Sequence, residues 1–230
     1  MTASDTTRVN KYIAHATGLS RREVDNAISA GRVTVNGEKV LMGAQVGTSD
    51  EVRLDGKPVG SAHTYTYLML HKPVGYVCSR RRQGEYPTIY ELLNEEQQKL
   101  KAVGRLDRDS SGLLLLTDDG DLAHRMTHPK FQKRKVYEVE IDHELEPLHQ
   151  QMINDYGVTL EDGQSKLTLE RMSDDNRTEW RVIMSEGRNR QIRRTFAALG
   201  YTVTKLHRTD FGPYALGNLK SGHTAATTLL

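Results

Sequence analysis

The spacing of hydrophobic residues changes along the chain, and each change marks an element. Val9, Tyr12, Ile13 and Ala16 recur at helical spacing, and Gly18 ends that run. Ser20-Arg21-Arg22-Glu23 has the reciprocal pattern of a helix start, with the Ser20 hydroxyl accepting from the Glu23 amide while Glu23 reaches back. Val24, Ala27 and Ile28 share the next helical face, and Gly31 is placed to cap its end. Arg32 to Val35 alternates as a strand, Asn36-Gly37 is a strong hairpin signal, and Glu51 to Leu54 alternates again. These signals predict a small unit over residues 6–54. Residues 55–64, rich in Gly, Pro and Ser, read as a linker, and residues 65–230 as a second, larger domain.

In that second domain Tyr65 to Cys78 is strand-like but broken by Lys72-Pro73 and Gly75. Tyr90 to Leu100 predicts a short amphipathic helix, and Leu113 to Leu116 a buried strand closed by the turn Asp118-Asp119-Gly120. Lys135–Ile141, Lys166–Arg171, Thr178–Met184 and Tyr201–Leu206 predict further strands; Leu145–Ile153 and Arg190–Leu199 predict helices. Strands outnumber helices and often follow one another directly. That pattern predicts an α+β fold with a mainly antiparallel mixed sheet flanked by helices.

Composition narrows the function classes. The 230 residues are 37% hydrophobic and 27% charged, as suits a core and a soluble surface, and the net charge is only +2. Any nucleic-acid site must therefore come from where the charges sit. A single cysteine, Cys78, rules out a disulfide framework, argues against a cysteine metal site, and reads as a small buried hydrophobe. Met1 to Val9 is polar, unlike a signal peptide, and no apolar run approaches the ~20 residues that span a bilayer. A cytoplasmic protein with no membrane partner is expected.

Basic residues gather in two places. Arg8, Lys11, Arg21, Arg22 and Arg32 lie in or beside the two predicted N-terminal helices. Arg21 and Arg22 open the second helix, where backbone N–H groups favour phosphate. The alternative is a solvated helix face. The second cluster is denser: Arg181, Arg188, Arg190, Arg193, Arg194, Lys205 and Arg208, with Glu186 almost the only acid among them. Arg190, Arg193 and Arg194 are spaced to share one helical face, which suits a polyanion groove or a partner for a buried carboxylate. The carboxylates of interest are Asp107 and Asp109 in Gly104-Arg105-Leu106-Asp107-Arg108-Asp109-Ser110-Ser111-Gly112, a loop held by the following strand. Asp118, Asp119 and Asp121 read better as a turn and helix cap than as a metal site. His124 and His128 lack a third ligand, and there is no phosphate loop or dinucleotide fingerprint. No metal and no cofactor is expected.

The carboxylate loop, with Leu113-Leu114-Leu115-Leu116-Thr117 after it, closely resembles the signature of the RsuA family of ribosomal RNA pseudouridine synthases. Leu70-His71-Lys72-Pro73-Val74-Gly75-Tyr76, Lys135-Val136-Tyr137 and Glu186-Gly187-Arg188-Asn189-Arg190-Gln191-Ile192-Arg193-Arg194 resemble its other motifs, in the family's order. Residues 8–53 resemble the S4 RNA-binding domain that precedes the catalytic domain in most members. The resemblance runs from Arg8 to Gly217 and implies site-specific isomerisation of a uridine in ribosomal RNA, by base flipping and without a cofactor. It implies that Asp107 is the catalytic carboxylate, acting on the ribose or on a sugar proton. It further implies that Tyr137 stacks on the base and serves in proton removal, that Arg193 pairs with the aspartate and that Leu206 lines the base pocket. Arg105 would contact phosphate or fill the gap left by the flipped base, and Lys135, Arg188, Arg190 and Arg194 would help bind substrate. The RNA would be naked or within a pre-ribosomal particle, and a monomer is expected.

Three departures refine this. Thr195 stands where the family usually has methionine, a change expected to affect packing. Arg190 stands where small-subunit enzymes tend to have histidine, and with His128-Pro129 it favours 23S over 16S RNA. Ser221 to Leu230 lacks the acidic terminal helix typical of relatives. Three rival readings compete with this one: a non-catalytic RNA-binding ribosome-assembly factor, the same chemistry on transfer RNA, and a glycoside hydrolase. The last needs a second carboxylate ~5–10 Å from the first, for which Asp109 is the near candidate.

Overall fold

The computed structural model describes residues 6–60 and 64–229, and the chain divides between Tyr65 and Thr66. The N-terminal unit runs β1 (Thr7–Arg8), α1 (Val9–Thr17), α2 (Arg21–Ser29), β2 (Val33–Val35), β3 (Glu38–Lys39), β4 (Gln45–Val46), β5 (Val52–Leu54) and β6 (Lys57–Pro58). Its local signals are used as expected. Gly18 closes α1 at φ 75°, and Ser20 and Glu23 form the full capping box on α2. Asn36 (φ 53°) and Gly37 (φ 87°) turn β2 into β3, the left-handed pair that matches strand twist. Val9, Ile13, Val24, Ile28, Val33 and Val52 join in one buried cluster.

The expected linker begins too early. Asp55 (φ 52°) and Gly56 (φ 74°) make a second hairpin turn, so β6 pairs with β5 as the edge of the four-stranded sheet β3-β2-β5-β6. Val59 then packs into the same core. The Asp-Gly dipeptide was the available signal; residues 61–63 of the predicted linker lie outside the described residues.

The second unit carries β7 (Tyr67–Lys72), β8 (Lys101–Val103), β9 (Ser111–Thr117), α3 (Gly120–Thr127), β10 (Lys135–Ile141), α4 (Pro147–Gln151), β11 (Val158–Leu160) and β12 (Gly163–Ser165). It continues with β13 (Thr168–Arg171), β14 (Glu179–Met184), α5 (Gln191–Ala197), β15 (Val203–Phe211), β16 (Tyr214–Ala215) and β17 (Thr224–Ala226). A nine-stranded sheet follows the path β13-β14-β10-β15-β9-β7-β17, with β8 on β9 and β16 on β15. Among the described strands, every pairing in it is antiparallel except β9 with β15. The fold is thus α+β with a mixed sheet. The Leu113–Leu116 run is apolar throughout because both faces of β9 are covered. Leu114 and Leu116 enter one core with Trp180 and Phe196, while Leu113 and Leu115 enter another with Met126 and Phe211.

Several predicted elements change form. The Tyr90–Leu100 helix is two short 3-10 turns, Ile89–Leu92 and Gln97–Lys99. The predicted Leu145–Ile153 helix is α4 followed by a π-helical turn at Met152–Tyr156. Asp119 caps α3, accepting from the Asp121 and Leu122 amides at 2.9 Å each. The C-terminal segment supplies β17, which pairs with β7 at the sheet edge. Gly112 has no substitute: at φ 109° a Cβ would lie 2.2 Å from the Arg208 carbonyl oxygen, where β9 crosses β15. Among the described residues, no helix is long and apolar enough to cross a membrane.

Candidate active site

Asp107 lies in the loop between β8 and β9, and the loop is held from several sides. The Lys72 ammonium, fully buried at the end of β7, donates to the carbonyls of Pro73 (2.9 Å), Arg108 (3.4 Å) and Ser110 (2.7 Å). The Gly75 amide donates to the Arg108 carbonyl at 2.7 Å, and the Leu106 amide donates to the half-buried Cys78 Sγ at 3.4 Å. Burial pushes the Lys72 amine down to about 8 and the Cys78 thiol up. Within the loop, the Ser110 amide closes a turn on the Asp107 carbonyl at 3.1 Å.

The cations sort differently from the expectation. Arg193 was expected to pair with Asp107, but it sits against Asp109. Its Nε lies 3.3 Å from the Asp109 carboxylate, while its two NH groups donate to the Asp109 carbonyl (2.8 Å) and the Val203 carbonyl (2.7 Å). The Asp107 carboxylate has Arg190 as its ion-pair partner, at 3.6 Å, and Arg190 also forks the Asp109 carboxylate with two bonds of 3.0 Å. Arg190 therefore bridges both carboxylates and holds the Asp109 carboxyl below the usual carboxylate range.

The reason is local. Arg190 has φ 46° and sits just before α5, so the shared helical face expected for Arg190, Arg193 and Arg194 does not form. Arg194 instead forks Asp162 in the β11–β12 turn at 3.0 and 2.8 Å. Arg188 donates to Asp162 Oδ1 (2.9 Å) and to the carbonyls of Gly163 and Gln164. Both arginines thus brace a hairpin, and Arg194 does not line the cleft. Thr195 is buried, its hydroxyl bonded to the Gln191 carbonyl (2.9 Å) and Ser165 Oγ (2.8 Å).

Asp107 opens onto a cleft of about 290 Å³. Tyr137 from β10, Leu206 from β15, Met184 from β14 and Ile192 from α5 give it an apolar floor, and all four are buried. Lys135, Arg105, Arg188 and Arg190 add positive charge. Lys135 donates to the carbonyls of Lys133 and Glu186 at 3.2 Å each, and burial, helped by Arg208, lowers its amine to about 8. Both long strands send alternate residues inward, and a bulge keeps this going along β15. Val136 faces Asp210 but Tyr137 faces Arg208, so Thr209 is the extra residue. Phe211 and Arg208 therefore both reach the cleft although they are three apart. On the other side of Asp107 a second groove holds Arg105, Arg108 and Arg190, with the Arg108 guanidinium 4.0 Å above the Tyr86 ring.

Three contributors to the site were missed at the level of sequence. Lys72 stood in a recognised motif without a role, Ser110 looked like a turn residue, and Tyr86 carried no periodic signal. Arg208 was noted only as one charge in a cluster, although its two-residue spacing from Leu206 pointed to a shared strand face. The N-terminal basic residues are spread. Arg8, Arg21, Arg22 and Arg32 are exposed and Lys11 is half-buried. Arg32 is forked by Asp55 (2.6 Å from Nε), and Arg21 donates to Asn10 at 3.4 Å.

A carboxylate beside an apolar, aromatic-lined cleft with arginines among its lining, on a mixed α+β sheet, is the arrangement that the comparisons with known proteins place in a family. Residues 66–198 match the RNA pseudouridylate synthase family, and residues 7–52 match the S4 domain. The chain belongs to the RNA pseudouridylate synthase family, a family of isomerases, and is an RsuA-type member with an N-terminal S4 domain. It is 41% identical over 214 residues, 91% of this chain and 90% of the relative, to a ribosomal small subunit pseudouridine synthase A of Pasteurella multocida (strain Pm70). It is 35% identical over 222 residues, 94% of this chain and 89% of the relative, to a ribosomal large subunit pseudouridine synthase B of Bacillus subtilis (strain 168). A crystal structure of a pseudouridylate synthase is 34% identical, with each chain covered to 96% and a TM-score of 0.68.

Proposed function

We propose that this enzyme isomerises one uridine of ribosomal RNA to pseudouridine with Asp107 as its catalytic carboxylate. The observation that carries the reading is the position of Asp107, at the mouth of a base-sized cleft with Tyr137 and Leu206 on its floor. A uracil must leave its stack to be reached. Once flipped, it lies between the Tyr137 ring and Leu206, while Arg105 and Arg190 meet the backbone phosphates at the rim. Lys135 and Arg188 add positive potential to the wall.

Asp107 opens the glycosidic bond, by attack on the ribose or by taking a sugar proton. On either route the bonding pair of N1–C1′ passes to the uracil. The ring turns and C5 bonds to C1′, expelling the Asp107 carboxylate on the first route or taking the sugar proton back at C2′ from Asp107 on the second; the C5 proton departs with Tyr137 in range and N1 is protonated, so atoms and charge balance without a co-reactant. Arg193 is a positioning residue that fixes Asp109 and, through it, the loop. Arg194 acts one step further away, through Asp162. The S4 domain, with Arg8, Lys11, Arg21, Arg22 and Arg32, supplies a second RNA contact whose strength falls with salt. The large-subunit assignment rests on Arg190 and His128-Pro129. Names of relatives divide between the two subunits, so both RNAs belong in the test.

Unmodified 16S and 23S RNA, naked and in ribosomal particles, are incubated with the wild-type enzyme and with Asp107→Asn. Pseudouridine is mapped by carbodiimide treatment and primer extension. Conversion of one uridine by the wild type alone is expected. No conversion in any RNA would leave a non-catalytic RNA-binding factor as the better reading, and conversion only in transfer RNA would move the substrate.

A further inference from the structure

Among the described residues that line the cleft, three buried side-chain atoms lack a partner, Ser110 Oγ, Arg208 NH2 and the Arg188 Nε of the hairpin brace, and the first two belong to buried residues. Ser110 is 1% exposed and its Oγ has no partner among the described residues. Arg208 is 2% exposed; its Nε donates to the Leu113 carbonyl at 2.8 Å, but its NH2 nitrogen has no partner. Both residues line the Asp107 cleft. Ser110 directly precedes β9, whose parallel pairing with β15 sets Ser111 opposite His207 and Gly112 opposite Arg208. The close approach permitted by Gly112 brings the two strands' backbones into contact there. Orphaned buried donors are costly and call for an explanation. Two of them on buried residues lining one cleft with an apolar floor suit one acceptor atom of a bound molecule.

We infer that Ser110 Oγ and Arg208 NH2 form a donor pair that receives one exocyclic carbonyl oxygen of the flipped uracil. This rests on the pseudouridine reading above. Burial favours the base over a phosphate: the donors lie in the floor beside Tyr137 and Leu206, whereas Arg105 and Arg190 are exposed at the rim. The pair also has a chemical purpose. When N1–C1′ breaks, its electrons spread from N1 onto the uracil carbonyls. Donors already aimed at one of those oxygens stabilise the departing ring more than the neutral base, which is how a fixed dipole raises a rate. The phenyl face of Phe211, 4.7 Å from the Arg208 guanidinium, keeps that side chain in place.

The test uses the full-length enzyme and an RNA fragment containing the converted uridine, transcribed with uridine, 2-thiouridine or 4-thiouridine. Sulfur accepts hydrogen bonds poorly. Single-turnover rates are read by digestion to nucleosides and chromatography, RNA affinity by filter binding, and folding by thermal melting. Ser110→Ala and Arg208→Lys are each expected to slow conversion of the uridine RNA about 10- to 100-fold. Affinity and melting temperature should stay near wild type. On one of the two thio-RNAs the wild type should itself be slow, and the Ser110→Ala penalty should shrink to about threefold or less, naming the oxygen received.

The inference is overturned if both variants convert uridine at the wild-type rate, or if the loss is in affinity alone, which would assign the pair to a phosphate. It is also overturned if the Ser110→Ala penalty is undiminished on both thio-RNAs. A wild type that converts no uridine at all sinks the pseudouridine reading, and this inference with it; an active wild type with indifferent variants sinks the inference alone.

Discussion

Lys72→Met tests whether the loop that carries Asp107 is held by one buried ammonium. Lys72 Nζ reaches three carbonyls, and two of them, those of Arg108 and Ser110, lie just beyond Asp107. Burial lowers its pKa from 10.5 to about 8, which corresponds to ~3 kcal/mol against the charged form. Methionine removes that cost and also the three bonds, taking the donor from the Pro73 and Ser110 carbonyls at ~1–3 kcal/mol each, while the Arg108 carbonyl keeps the Gly75 amide. The bonds outweigh the desolvation, and a net loss of ~1 kcal/mol, or about 2–4 °C in melting temperature, is expected. Displacement of Asp107 should slow single-turnover conversion about 100-fold.

The pH dependence has a definite sign. Because the folded-state pKa lies below the unfolded one, between about pH 8 and ~10.4 the unfolded chain holds a proton that the native state has released. Wild-type stability therefore gains from Lys72 as pH rises through that window and is flat with respect to it below. Lys135, also lowered to about 8, adds a rise of its own in both proteins, so the difference between wild type and variant isolates Lys72. Urea unfolding at pH 7, 8, 9 and 10 measures it. Equal stability at pH 7 together with an equal rate would refute the anchoring role. A wild-type-minus-variant difference that does not change from pH 8 to 10 would refute the buried-ammonium account.

Other perturbations have equally plain outcomes. Gly112→Ala places a Cβ 2.2 Å from a backbone oxygen at φ 109°, so the second domain should lose more than ~3 kcal/mol or fail to accumulate, as read by soluble yield and urea midpoint. Ser20→Ala removes one half of a capping box and should cost about 1 kcal/mol in unfolding of the N-terminal unit, with no effect on the Asp107 cleft. The Asp109 carboxyl is held low chiefly by its bonds to Arg190. Its contribution to stability is complete above the unfolded carboxylate pKa and disappears as pH falls through the lower folded one. Asp109→Asn should therefore flatten the acid limb of the stability profile, which thermal melts from pH 6 downward would show.

Much of this protein is legible in its sequence because the relevant physics is local. The Ser20-Glu23 box, the Asn36-Gly37 turn and the Asp119 cap each use groups a few residues apart, and each forms as expected. The four-leucine run predicted a buried strand, since only a strand covered on both faces tolerates it. The motif around Asp107, together with those at Tyr137 and Arg193, pointed to the family. Errors fell where neighbours in space decided the outcome. The Arg190–Arg194 face failed because a single left-handed residue turned Arg190 toward Asp107 and Asp109. The linker was placed early because the Asp55-Gly56 hairpin has meaning only once β5 has an edge to extend.

By itself the sequence determined the elements, the order of the motifs and the presence of a carboxylate among arginines, because capping, turn geometry and periodicity act over a few residues. Only the tertiary structure decided which arginine meets Asp107, that Lys72 holds its loop, and that the Thr209 bulge turns Arg208 and Phe211 into the same cleft. Those outcomes depend on strand register and on the β9–β15 crossing at Gly112, where residues 96 apart share a face. No local rule carries that information, because a shift of one residue in the register of β15 would send Arg208 and Phe211 to the other side of the sheet.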